Sequence, residues 1–117
     1  MQEPSKNHLR ISLRERRQNL PPEVVREDSA LIRDRLLRLT QFHDARSVML
    51  YLPACGEVDT WPLLDHFWGR GCEILLPRCR DNAPGVMDAY AVTSREDLGP
   101  GCFGLTEPRA DLARPVP

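Results

Sequence analysis

Val48-Met49-Leu50-Tyr51-Leu52-Pro53-Ala54-Cys55-Gly56-Glu57-Val58-Asp59-Thr60 reads as a buried strand, a sharp loop and the start of a helix. The run from Ser47 to Leu52 is apolar, with β-branched and aromatic members. Pro53 closes it, because proline has no N–H to give to a ladder. Gly56 lets the loop turn tightly. Asp59 and Thr60 are helix-capping types, and Pro62 is tolerated in a first helical turn, where N–H groups lack intrahelical partners. Leu63, Leu64, Phe67 and Trp68 then recur at helical spacing until Gly69-Arg70-Gly71. A second apolar run, Ile74-Leu75-Leu76, is again closed by a proline, Pro77. Strand, helix and strand in this order predict a βαβ unit with parallel strands and a right-handed crossover. Ligands of open α/β sheets lie beyond the carboxyl ends of the strands. Both proline-closed loops fall there, so Glu57 and Arg78 are expected on one rim.

Working outward, Ser5 is placed to cap a first helix over about 5–18. Its apolar side carries Leu9 and Leu13, and its other positions carry Arg10, Arg14, Arg16 and Arg17. Lys6 and Arg10 are four apart and share a helical face, where two cations repel unless an anion sits between them. A solvated basic face is the common alternative. Pro21-Pro22 starts a second helix to about residue 40. Val25, Ser29, Ile32, Leu36 and Leu39 form its amphipathic stripe, which assigns it to packing on the sheet. Strands are expected at about 47–52, 73–77 and 86–92, with a third helix at about 60–69. Gly99 to Pro108 reads as an ordered, non-repetitive loop, and residues 109–117 as an irregular tail.

The chain has 117 residues, enough for one small domain. A formal charge of -1 argues against nucleic-acid binding. No apolar run approaches the roughly 20 residues of a membrane span. The N-terminus lacks the apolar core of a signal peptide, so a cytoplasmic location is expected. The four cysteines, Cys55, Cys72, Cys79 and Cys102, form no C-x-x-C pair and do not cluster with His8, His43 or His66, which favours free thiols over a zinc site. Cys55 stands in the central loop, which is weak grounds for reactivity. Fifteen of the sixteen basic residues are arginine, and Lys6 is the single lysine. A lysine kept in such a background suits a phosphate, as a compact ammonium on a flexible stem. Chance survival in a solvated tail is the competing reading.

The elements are too few to cover both faces of a parallel sheet. The expected fold is therefore a partial three-layer, parallel-type (Rossmann-like) α/β sheet with N-terminal helices, the second half of the domain absent. Such a small domain has a marginal core, and self-association or low stability is expected of it. The phosphate-binding pattern G-x-x-x-x-G-K-[ST] does not occur.

Four segments stand in order: Lys6-Asn7-His8-Leu9-Arg10, then Tyr51-Leu52-Pro53-x-x-Gly56-Glu57-Val58-Asp59-Thr60, then Leu76-Pro77-Arg78, and Gly99-Pro100-Gly101-x-Phe103-Gly104-Leu105-x-Glu107-Pro108. Together they resemble the 5-formyltetrahydrofolate cyclo-ligase (5,10-methenyltetrahydrofolate synthetase) family over almost the whole chain. The resemblance implies an enzyme of folate one-carbon metabolism that depends on ATP and Mg²⁺. It implies ATP-phosphate contacts for Lys6 and Arg10, a folate pocket lined by Leu52, and a catalytic, folate-binding Glu57. Arg78 is implied more weakly, as a ligand to an anionic group of ATP or folate. The resemblance also implies a further half-chain with a stretch R-x-G-x-G-x-G-Y-Y-D that supplies the metal ligand, and this sequence contains no such stretch. Two alternatives stand beside the ligase: a non-catalytic folate- or nucleotide-binding remnant, and an α/β interaction module that uses its basic first helix.

Overall fold

A computed structural model describes residues 3, 5–54, 56–101 and 105–112. Cys55, Cys102, Phe103, Gly104 and the tail residues 113–117 lie outside the described residues, and so do the expectations placed on them. The first helix, α1, spans Lys6–Gln18. The Ser5 hydroxyl caps it by accepting the N–H of His8 at 3.1 Å, which satisfies one of the first-turn donors. Arg16 and Arg17 stand in its last turn, where cations suit the negative end of the helix dipole. No residue of α1 is buried. Helix α2 spans Pro22–Arg38 and starts on its proline. A single turn, α3, covers Thr40–His43, between α2 and the first strand.

Strand β1 spans Ser47–Met49. It is shorter than the apolar run, although the Leu50 N–H still reaches the Leu75 carbonyl at 3.0 Å. Helix α4 spans Trp61–Gly69, and β2 spans Glu73–Cys79. These strands pair in parallel, with Val48 opposite Ile74. The α/β class and the strand–helix–strand unit are therefore present. Strand β3, Met87–Val92, completes a sheet of order β1-β2-β3 and runs antiparallel to β2, with Leu76 opposite Tyr90. The sheet is mixed where a parallel type was expected. The connection over residues 80–86 explains it: parallel strands need a crossover of about a dozen residues or more. Asn82 and Gly85 instead turn the chain back with φ of 60° and 81°.

The core lies on one face of this sheet. Ile74 and Leu76 of β2 and Val92 of β3 meet Leu63, Leu64 and Phe67 of α4, and all six are buried. The Trp68 indole N–H donates to the Val92 carbonyl at 2.9 Å and ties α4 to the β3 edge. After β3, Ser94 caps a 3-10 turn over Arg95–Asp97. The stretch expected as a non-repetitive loop then contains two short strands, β4 (Leu98–Pro100) and β5 (Thr106–Pro108), paired antiparallel with Gly99 opposite Glu107.

Candidate active site

The loop after β1 is shaped around Glu57. Its Oε1 accepts the Ala54 N–H at 2.6 Å, and its own N–H donates to the Ala54 carbonyl at 3.1 Å. Gly56 makes this turn with φ of 76°, and its α-carbon sits against the carbonyl of Arg17, so a side chain there would clash with the end of α1. Arg17 Nη1 stands 3.9 Å from Glu57 Oε2. The far side of the loop is fastened by α2. Ser29, buried, accepts the Asp59 N–H at 2.9 Å. Arg33 donates to the Asp59 carbonyl at 2.8 Å. Arg33 lies outside the apolar stripe of α2 and is half-buried through this contact. The Thr60 hydroxyl closes the loop by donating to the Tyr51 carbonyl at 2.6 Å.

A cavity of about 250 Å³ opens beyond the ends of β1 and β2. Tyr51, Leu52, Pro77 and Met87 supply apolar wall, and Glu57 and Glu107 supply carboxylates. Tyr51 has its phenol pKa raised, first by partial burial and then by the charge of Glu57, with Arg17 working the other way. Leu52 and Glu57 are thus brought together. Arg78 does not line the cavity but stands behind Glu107. Its guanidinium donates to the Pro108 carbonyl at 2.9 Å and lies 3.7 Å from both Glu107 and Asp81. Lys6 and Arg10 lie exposed on the first turns of α1 and line none of this cavity. By helical rise Arg10 is about 10 Å along the axis from Arg17. Among the described residues no group of three or more His, Cys, Asp or Glu converges in a way that suits a metal ion. No helix among them is long and apolar enough to cross a membrane.

Two site residues escaped the sequence reading. Arg17 looked like one more charge on a basic face; its position at the end of α1, abutting the loop glycine, was not readable locally. Glu107 was visible within the Gly99–Pro108 motif, but a lone acid among glycines and prolines has no period to give it a face.

An α/β domain whose strand ends open on a partly apolar cavity with convergent carboxylates belongs to the ligand-binding α/β class. The 5-formyltetrahydrofolate cyclo-ligase family model matches residues 2–116, and the chain belongs to that family. The chain is 26% identical over 105 residues to the 5-formyltetrahydrofolate cyclo-ligase of Escherichia coli (strain K12), covering 90% of this chain and 58% of that protein. The figures for the Escherichia coli O157:H7 protein are the same. The fold is similar to the NMR structure of Aquifex aeolicus 5,10-methenyltetrahydrofolate synthetase, with a TM-score of 0.77 and 32% identity, over 95% of this chain and 54% of that one. The chain spans somewhat more than half the length of these relatives.

Proposed function

We propose that this chain carries the recognition part of a 5-formyltetrahydrofolate cyclo-ligase, which converts 5-formyltetrahydrofolate to 5,10-methenyltetrahydrofolate at the expense of ATP. In this reading the formyl oxygen takes the γ-phosphoryl group and ADP leaves. N10 attacks the activated carbon and loses its proton. The carbon–oxygen bond then breaks, phosphate departs with the electron pair, and the methenyl bridge closes. The observation that carries the reading is the placement of Leu52 and Glu57, from the family-like motif, on one cavity at the strand ends.

Each residue has a role in that scheme. Leu52 and the neighbouring apolar walls pack against the folate ring. Glu57 is held by its own loop through the Ala54 N–H, which suits a stationary carboxylate that orients the folate and stabilises positive charge developing at N5. Lys6 and Arg10, one turn apart and exposed, bind the nucleotide phosphates. Arg78, expected to hold an anionic ligand group, instead offsets the charge of Glu107 from behind the cavity wall. Mg²⁺ enters on the nucleotide, as part of the substrate. The described residues offer it no ligand cluster.

Titration calorimetry tests this. The chain should bind 5-formyltetrahydrofolate saturably, and Glu57→Gln should weaken that binding about tenfold, the loss of one hydrogen bond to a charged acceptor. Lys6→Ala should weaken ATP binding and leave folate binding unchanged. Absence of heat and of competition at millimolar folate overturns the reading.

A further inference from the structure

The Glu57 carboxylate is approached from two sides. Its Oε1 accepts the Ala54 N–H at 2.6 Å. The last torsion of a glutamate is broad and roughly two-fold, so a bond of this kind fixes one oxygen without fixing the plane of the carboxylate. On the other side, Arg17 Nη1 stands 3.9 Å from Oε2. That distance is beyond a hydrogen bond and within Coulombic reach. The two side chains are 41% and 31% exposed, so water weakens the attraction without abolishing it.

The end of α1 aims this guanidinium. A β-carbon on Gly56 would overlap the Arg17 carbonyl and crowd its Cγ, so the start of the arginine stem is packed on the turn that carries Glu57. The Arg17 carbonyl also accepts the Leu20 N–H at 3.2 Å, where the chain leaves α1. Among the described residues, Arg17 is the α1 cation that forms an ion pair. It does not line the cavity, whereas Glu57 does. Tyr51, on the cavity wall, senses both charges. Its pKa is raised first by burial and then by Glu57, and Arg17 works against them.

We propose that Arg17 is a positioning residue that acts on the ligand through Glu57: its guanidinium fixes the second carboxylate oxygen, so that Glu57 meets the ligand in one orientation. The proposal rests on the folate reading, in which Glu57 faces the reacting end of 5-formyltetrahydrofolate. A carboxylate oriented in advance loses less freedom when the ligand arrives.

A double-mutant cycle on 5-formyltetrahydrofolate binding, read by titration calorimetry, tests this. Arg17→Met removes the charge, keeps the stem packed on Gly56 and stays a good helix former. It should weaken binding about three- to fivefold, the upper part of the range for a part-exposed ion pair. Arg17→Gln should do the same, and Arg17→Lys should restore most of the loss. In a Glu57→Gln background, Arg17→Met should change binding by less than about 1.5-fold. An equal loss in both backgrounds overturns the proposal, because Arg17 then meets the anionic ligand itself. Wild-type affinity in Arg17→Met overturns it too. In both of these cases the folate reading stands. If the wild-type chain binds no 5-formyltetrahydrofolate, both fall.

A second readout needs no ligand. The Tyr51 titration, followed by phenolate absorbance, should move to higher pH in Arg17→Met and to lower pH in Glu57→Gln. Tyr51→Phe separates its signal from that of Tyr90. An arginine that only packs the helix end would shift the melting temperature and leave this titration in place, which overturns the proposal.

Discussion

On one face of β2, Ile74 and Leu76 are sealed beneath Leu63, Leu64 and Phe67 of α4. On the other, Leu75, Pro77 and Cys79 are only half-buried, and Met49, Tyr51 and Met87 beside them are exposed. The strands are the same; only the parity of the residue differs, because successive side chains of a strand point to opposite faces. The sealed face holds the fold together. The open one, with the loop ends above it, forms most of the cavity wall. The buried core thus falls on one parity of one short sheet and most of the strand residues on the cavity wall fall on the other, and substitutions should separate them.

The largest effect should come from the sealed face. Phe67→Ala removes a fully buried ring and should lower unfolding free energy by about 3–5 kcal/mol, read from the urea midpoint. A loss under about 1 kcal/mol would mean that the two faces do not differ. Gly56→Ala comes next, at about 1–3 kcal/mol, because a left-handed backbone gains a side chain against the Arg17 carbonyl. It should also weaken folate binding, since the same turn holds Glu57.

Asp97 sits at the connection between β3 and β4, and its pKa is lowered, first by the backbone N–H of Thr93 and then by the Thr93 hydroxyl and the Ser94 N–H. A depressed carboxylate contributes stability that is present above its unfolded pKa and is lost as pH falls through the folded value. Melting temperature should therefore drop on acidification below about pH 4, and Asp97→Asn should flatten that part of the profile. An unchanged profile would place the acid sensitivity elsewhere. The smallest effect is expected on the open face. Met87→Ala should change stability by no more than about 0.5 kcal/mol, while weakening any ligand that uses the cavity wall. A loss comparable to that of Phe67→Ala would show that this face is covered in solution.

The strand–helix–strand unit was legible because both of its periods are clean: a proline-closed apolar run, then Leu63, Leu64 and Phe67 at helical spacing. The reversal of β3 was not legible in the strand itself, since an antiparallel and a parallel edge strand have the same composition. The evidence lay in the short connection before it. The β4–β5 pair was hidden because Pro100 and Pro108 are poor strand formers, yet both sit at strand ends, where a missing N–H does little harm. For the site, the loop motif pointed to Leu52 and Glu57, which meet on the cavity. The partners that surround them, Arg17 and Glu107, come from segments about forty to fifty residues away in sequence. No local pattern encodes a contact of that kind; tertiary packing makes it.

The packing of Gly56 on the end of α1 has a mechanical consequence. With no buried residue along its length, α1 is a lever whose attested pivot is the Arg17 end. A rotation of about 5° at that pivot sweeps the Lys6 end through about 1.5 Å, given the helical rise over eleven residues. A ligand bound at Lys6 and Arg10 would pull on the long arm, and Glu57, beside the fulcrum, sits on the short one.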